Sequence, residues 1–308
     1  MSQSPSDADR FRGCLLGLAT GDALGTTLEF QPRDSYGPHT EMIGGGPFDL
    51  MPGEWTDDTS MALCLATSLL SQGRFDAQDQ MNRYCDWVDK GYLSSNGRCF
   101  DIGNTVRRAL ATYRASGEPF AGPVEPSAAG NGSLMRLAPV VMFFHPKRDL
   151  ILHYAVESSR TTHGAPECLE ACGLFAALLT RALDGADRSG ILAPLQHRFA
   201  SPKIQAIADG RFLGKDRALI ESSGYVVHSL EAALWCFSMT TSFCDAVLLA
   251  ANLGDDADTT AAICGQLAGA HYGASAIPGR WLAQLAMHDE ISKLADSLRL
   301  CSASMRLR

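Results

Sequence analysis

Basic charge is scarce in this sequence: 26 Lys and Arg stand against 34 Asp and Glu in 308 residues, for a formal net charge of −8. That balance offers no extended positive footprint for a nucleic-acid backbone, so any phosphate is expected to be held locally. No run reaches the roughly 20 apolar residues of a membrane-spanning helix. The opening MSQSPSDADR has neither the basic flank nor the apolar run of a secretory signal. These features predict a soluble, cytoplasmic protein with no membrane partner. Alternating β-branched runs are nearly absent, and the pair Val140-Val141 lies inside a helical pattern after Pro139. No internal repeat or block of contrasting composition divides the chain. Zinc spacing is also missing: Cys168 and Cys172 stand one helical turn apart, but no second Cys/His pair follows. The ten cysteines, among them Cys14, Cys64, Cys236 and Cys264, sit in apolar helical stretches and are predicted to be reduced thiols.

What the chain does have is helical periodicity. Phe11, Cys14, Leu15, Leu18 and Ala19 recur at three and four, and the pattern ends near Gly21 to Gly25. The same period returns over 61–70, 102–113, 134–144, 150–158, 168–183, 230–239, 246–252, 261–272 and 281–298. With 46% hydrophobic residues, this predicts an all-α fold: one compact multi-helix domain over residues 11–308, after a flexible N-terminus at 1–10. Residues 188–223 mix Pro, Gly and charge and predict an excursion of short helices. The segments Gly44-Gly45-Gly46-Pro47, Gly130-Asn131-Gly132 and Gly254-Asp255-Asp256 are too glycine-rich and polar for helix interiors and predict loops.

Acidic residues gather at two of the predicted helix starts. Glu54-Trp55-Thr56-Asp57-Asp58-Thr59-Ser60 precedes one apolar helix, where Asp57 or Asp58 serves as a cap or lies in the first turn. Capping needs one carboxylate, and an ordinary acidic helix start is the plain reading of that segment alone. But Gly254-Asp255-Asp256-Ala257-Asp258-Thr259-Thr260 repeats the chemistry at a second helix start. Clustered Asp with Thr hydroxyls supplies hard oxygen ligands of the kind that suit Mg²⁺, Mn²⁺ or Ca²⁺. Carboxylates brought together repel and raise one another's pKa unless cations neutralise them. Two ions about 3.5–4 Å apart account for the number of acids, since they share a bridging carboxylate and activate water. Asp22 reads as a turn residue or a further acid. Glu29, an isolated charge between Leu28 and Phe30, needs a partner. Asp101 reads first as the N-cap of the helix that follows it.

These stretches in their order, 17–30, 55–60, Asp101-Ile102-Gly103-Asn104-Thr105, Gly130-Asn131-Gly132-Ser133 with Met135-Arg136, Thr161-Thr162-His163 and 254–259, resemble the ADP-ribosylglycohydrolase family over most of the chain. The resemblance implies an all-α fold and two Mg²⁺ or Mn²⁺ ions, with Thr56, Asp57, Asp58, Asp256, Asp258 and Thr259 as ligands. It implies that Glu29 contacts a metal or the reactive water. It further implies that Gly130, Asn131, Gly132 and Ser133 cradle the diphosphate and ribose of ADP-ribose, that His163 lines the nucleotide side, and that Asp101 faces the scissile bond. Asp255 departs from the glycine of many members, adding charge that competes with or supplements Asp256.

The expected activity is hydrolysis at the anomeric carbon of the distal ribose, with Glu29, Asp58 and Asp101 as acid/base candidates and an oxocarbenium-like transition state. The expected substrate is ADP-ribosyl-arginine on a protein, because a cationic guanidinium leaving group suits an acidic cleft. Serine-linked or nucleic-acid-linked ADP-ribose, a non-catalytic ADP-ribose-binding protein, and a two-metal phosphoesterase are the alternatives.

Overall fold

The computed structural model describes residues 4–306. Among them are fourteen α-helices and no strand. In chain order these are α1 (Asp7–Gly25), α2 (Asp57–Gln72), α3 (Ala77–Lys90), α4 (Asn104–Ser116), α5 (Ala138–Phe144), α6 (Arg148–Arg160) and α7 (Pro166–Leu183). There follow α8 (Arg188–Leu192), α9 (Pro202–Ala208), α10 (Val226–Met239), α11 (Phe243–Ala251), α12 (Ala257–Tyr272), α13 (Gly279–Leu282) and α14 (His288–Arg306). The all-α expectation holds, with bridge pairing confined to Gly45–Leu50 and Gly130–Tyr225. No helix among the described residues is long and apolar enough to cross a membrane.

Several boundaries differ from the periodicity. Helix α1 starts at Asp7, inside the segment expected to be a flexible N-terminus, because Ser6 accepts the Asp9 N–H and Asp9 is held by Ser275. Residues 1–3 of that segment lie outside the described residues, as do 307–308 at the other end. The pattern over 281–298 splits into α13 and α14, and the one over 134–144 becomes helical only from Ala138. The short helices expected over 188–223 are α8 and α9.

The central feature is the pairing of α1 with α12. Gly13, Gly17, Gly21 and Gly25 form a stripe at every fourth residue of α1. Each lies against the α12 backbone: a Cβ there would stand 2.2 Å from the Gly269 carbonyl oxygen, 2.3 Å from that of Gly265, 2.1 Å from that of Ala261 and 2.4 Å from that of Ala257. The residue order makes the helices antiparallel, so the C-terminal end of α1, with Asp22, meets the N-terminal end of α12, with Asp256 and Asp258. In an isolated helix Gly17→Ala stabilises by about 1 kcal/mol. Here it is expected to destabilise by about 3 kcal/mol, through overpacking of backbone that has nowhere to move. Urea denaturation checks the sign, and a stabilised Gly17→Ala protein would refute the close approach.

The large core is built mainly from α1, α5, α7, α10, α11 and α12. A smaller cluster, with Met61, Met81, Tyr84, Trp87, Val106 and Leu110, joins α2, α3 and α4. Together they fix the helix starts and loops that ring one cavity. All ten cysteines are free. Cys168 donates to the Gly130 carbonyl and Cys172 to the Ser133 hydroxyl, so that pair braces the loop ahead of α5.

Candidate active site

A cavity of about 720 Å³ opens among the ends of α1, α2, α4 and α12 and the loops before α5 and α10, a size that takes an organic ligand. Its acidic wall carries Glu29, Asp57, Asp101, Asp255 and Asp256. Asp22, Asp58 and Asp258 are buried behind them.

Asp22 has a different role from the turn expected of it. One carboxylate oxygen accepts from the Thr56 N–H and hydroxyl, both at 2.9 Å. The other accepts from the Thr59 N–H at 3.0 Å and its hydroxyl at 2.6 Å. Thr56 is the N-cap of α2 but makes no side-chain cap bond of its own. The cap is therefore supplied by Asp22 from α1, not by Asp57 or Asp58, and the first turn of α2 is pinned to α1. Four donors fill the roughly four acceptor positions of a carboxylate, which makes Asp22 an anchor and a poor metal ligand. Burial raises its pKa to about 6, against the lowering effect of the Thr59 and Thr56 bonds. Asp22→Asn turns one oxygen into a donor facing donors. It is expected to destabilise the protein by roughly 2 kcal/mol and to lower the melting temperature measured by calorimetry; an unchanged melting temperature would contradict the anchor.

Freed from capping, Asp58 turns its carboxylate toward Asp258. The Thr56 hydroxyl sits 2.9 Å from Asp22 Oδ1, 3.3 Å from Asp58 Oδ2 and 3.2 Å from Asp258 Oδ2. Thr259 places a second hydroxyl 3.3 Å from Asp58 Oδ2. A hydroxyl has one hydrogen, so at least two of the three oxygens around Thr56 face a lone pair. Asp58 Oδ1 and Glu29 Oε2 are buried with no hydrogen-bond partner. Ligand oxygens of Glu29, Asp101 and Asp258 lie within 4.8 Å of one another, as do those of Asp22, Asp58 and Asp258. Asp258 belongs to both groups. Orphaned, mutually repelling, all-oxygen donors of this kind fit a hard cation, and of these residues Glu29, Asp58, Asp101 and Asp258 can hold metal, while Asp22 is committed to its four donors.

The electrostatics agree. Burial raises Glu29 to about 10, with Asp101, Asp256 and Asp22 adding repulsion. Burial raises Asp101 to about 8, with Asp256 and Asp22 adding to it. Asp57, Asp58 and Asp258 are pushed well above the carboxylate range, again chiefly by burial and then by their acidic neighbours.

Backbone strain rings the mouth. Phe30, Asp101 and Asp255 have φ of 62°, 54° and 54°, unusual for residues with a Cβ. The Phe30 N–H donates to the Asp255 carbonyl at 2.7 Å and the Asp255 N–H to the Gln31 carbonyl at 2.9 Å. Those bonds fasten the α12 loop to the Glu29 turn.

The sequence matches the ADP-ribosylglycohydrolase family over residues 3–306. The chain belongs to this family. It is 50% identical over 290 residues to ADP-ribosylarginine hydrolase Tri1 of Pseudomonas putida (strain GB-1), covering 94% of this chain and 78% of the relative. It is 34% identical over 302 residues to the ADP-ribosyl-(dinitrogen reductase) glycohydrolase of Rhodospirillum rubrum, covering 96% of this chain and 97% of the relative. A solved structure of an ADP-ribosylglycohydrolase-related protein complex superposes with a TM-score of 0.85 at 45% identity, covering 96% of this chain and 99% of that one. The enzyme class is thus glycohydrolase.

Within this glycohydrolase, the residues singled out from sequence come together unevenly. Glu29, Asp57, Asp101, Gly130, Asn131, Gly132, His163, Asp256 and Thr259 line the cavity, and Thr56, Asp58 and Asp258 are buried against its acidic wall. Ser133 does not line it: buried, it bonds Ser159 and Cys172 toward the core. The Asn131 amide donates at 2.7 Å to Asp256 and at 2.8 Å to Ser229, so it orients an acid. The Gly130 and Asn131 N–H groups are bonded to the Ala128 and Gly224 carbonyls and do not form an anion cradle. Asp101 is not a cap, since Gly103 is the N-cap of α4. Asp255 is exposed at the rim. Sequence reasoning gave no role to Arg136 and Thr162 or to the Asp22 cap, although Thr59, three residues after Thr56, marks the amide such a cap would serve.

Proposed function

We propose that this protein removes ADP-ribose from arginine side chains of modified proteins, using two divalent cations, Mg²⁺ or Mn²⁺. The observation that carries the reading is Asp258, buried and shared between two oxygen groups beside a cavity large enough for a nucleotide sugar. Thr56, Asp57, Asp58, Asp256, Asp258 and Thr259 would hold the cations, with Asp258 common to both oxygen groups. When bound, such cations neutralise the carboxylates, hold ribose hydroxyls and lower the pKa of a water. Glu29, with one oxygen free of any partner, would take a proton from the attacking water once the neighbouring carboxylates that help hold it at about 10 are neutralised. Asp101, which lines the cavity and is raised to about 8, would donate a proton at the leaving nitrogen. The acidic wall stabilises positive charge as it develops at the anomeric carbon. It also favours a guanidinium leaving group, which matches the named activity of the relative that is half identical.

The test is release of free ADP-ribose from an arginine-ADP-ribosylated protein, followed by mass spectrometry with added Mg²⁺ or Mn²⁺. Serine- and nucleotide-linked adducts run beside it, as do Asp57→Ala and Asp256→Ala. Metal-dependent release from the arginine adduct, reduced on the order of 100-fold or more in both variants, supports the reading. Release only from another linkage overturns the substrate, and tight ADP-ribose binding with no release from any adduct overturns the enzymatic reading in favour of a binding protein.

A further inference from the structure

Beneath the Gly130–Gly132 loop lies a buried cation with no carboxylate partner among the described residues. Arg136 donates from Nη1 to the Gly132 carbonyl at 2.7 Å, and from Nη2 to the Ser158 carbonyl at 3.3 Å and the Thr162 hydroxyl at 2.7 Å. Its guanidinium carbon stands 4.9 Å from the centre of the Tyr84 ring. The Thr162 hydroxyl accepts from Arg136, and the one acceptor within reach of its own hydrogen among the described residues is His163 Nδ1, at 2.8 Å. Nδ1 is then an acceptor, and the network assigns the ring proton to Nε2. Burial lowers the His163 pKa to about 3, with the Arg136 charge adding to it, so the ring is neutral.

Nε2 has no partner among the described residues, and the ring lines the cavity. A Cβ on Gly132 would stand 2.8 Å from Cε1 and 3.1 Å from Nε2, and one on Gly130 would stand 3.4 Å from Nε2. Gly132 in particular leaves room for the imidazole, and its carbonyl is held by the same Arg136 that sets the tautomer.

We propose that Arg136, acting through Thr162, is a positioning residue that fixes His163 as a neutral Nε2–H donor to an acceptor oxygen of ADP-ribose. The ligand half rests on the functional reading above. The other tautomer would turn a lone pair toward the ligand oxygen, and a charged ring would be drawn to the acidic wall. A fixed cation two bonds away prevents both.

Long-range ¹H–¹⁵N correlation on the full chain with ¹⁵N-histidine reads the tautomer directly, with His163→Gln assigning the signal. The expected spectrum is the Nε2–H form at pH 7. Thr162→Val is expected to give a mixture of tautomers and about tenfold weaker ADP-ribose binding by calorimetry, with kcat changed less than about twofold. Thr162→Ser is expected to restore both. If Thr162→Val does not fold, the wild-type and Thr162→Ser spectra still decide the tautomer. An Nδ1–H or doubly protonated ring in the wild type overturns the relay even if ADP-ribose binds. A Thr162→Val protein with wild-type spectrum and affinity overturns it as well. An Nε2–H ring in a protein that binds no ADP-ribose overturns the ligand half and the functional reading with it.

Discussion

Exchanging Asp258 for asparagine is expected to lower kcat/KM for ADP-ribose release on the order of 1,000-fold, about 4 kcal/mol of transition-state stabilisation, while making the metal-free protein harder to unfold. The two effects have one cause. Asp258 is buried, belongs to both carboxylate groups, and stands 3.2 Å from a Thr56 hydroxyl that also faces Asp22 and Asp58. On the proposed reading, removing its charge removes a ligand common to both ions and with it the arrangement that would activate water. Without metal the same charge is only a cost, because it is desolvated and repelled by Glu29, Asp58 and Asp101. A neutral isostere relieves that cost by roughly 1–3 kcal/mol. Denaturation in chelator, set beside the activity assay, reads both effects. A variant that loses activity and is also less stable without metal would show Asp258 to be a structural hydrogen-bonding group. A variant that keeps activity would remove it from the reaction.

The stability of the metal-stripped protein is expected to fall as pH rises from about 5 to 9, and divalent cations are expected to reverse the trend. Burial and acidic neighbours hold Asp101 at about 8 and Glu29 at about 10, while burial holds Asp22 at about 6. All lie above the values these groups have in an unfolded chain. The folded state therefore binds more protons than the unfolded state, and the slope of unfolding free energy against pH is negative. The contribution is full below about pH 4, the ordinary carboxylate range, and is lost progressively as pH climbs through those folded values. A cation that replaces the protons acts in the opposite sense, because it binds the ionised form. At a hundredfold excess over its Kd it adds about 2.7 kcal/mol, a rise of roughly 4 °C in melting temperature for a chain of 308 residues, larger at pH 8 than at pH 5. Thermal unfolding in chelator and in Mg²⁺ or Mn²⁺ across that range is the measurement. A flat profile with no metal response would mean that the carboxylates do not face one another in solution.

Much of the architecture is legible along the chain because it is local. The three-and-four spacing of apolar residues marks most of the long helices, and the two acidic segments lie where capping preferences put helix starts. Helix α3, Ala77–Lys90, escapes that reading because its larger apolar residues, Met81, Tyr84, Cys85, Trp87 and Val88, are outnumbered by polar and charged ones. Asp101 deceives for the opposite reason. An aspartate shortly before a helix is a cap by preference, yet its backbone adopts φ of 54° and its carboxyl group joins those of Glu29 and Asp258.

By itself, the sequence determined that the chain is helical, that its hard oxygen donors stand at the starts of α2 and α12, and, through motif order, that it resembles the ADP-ribosylglycohydrolases. Only the tertiary structure decided what each donor does. Asp22 caps a helix that begins 35 residues later, and Asn131 bonds Asp256 across 125 residues. Ser133 turns into the core while Gly132, one residue away, admits an imidazole. The physical reason lies in α1 and α12: glycines at every fourth position let two backbones touch and bring together carboxylates that repel. Periodicity can place such a stripe on a helix face, but which helix it meets is decided by packing of the whole chain.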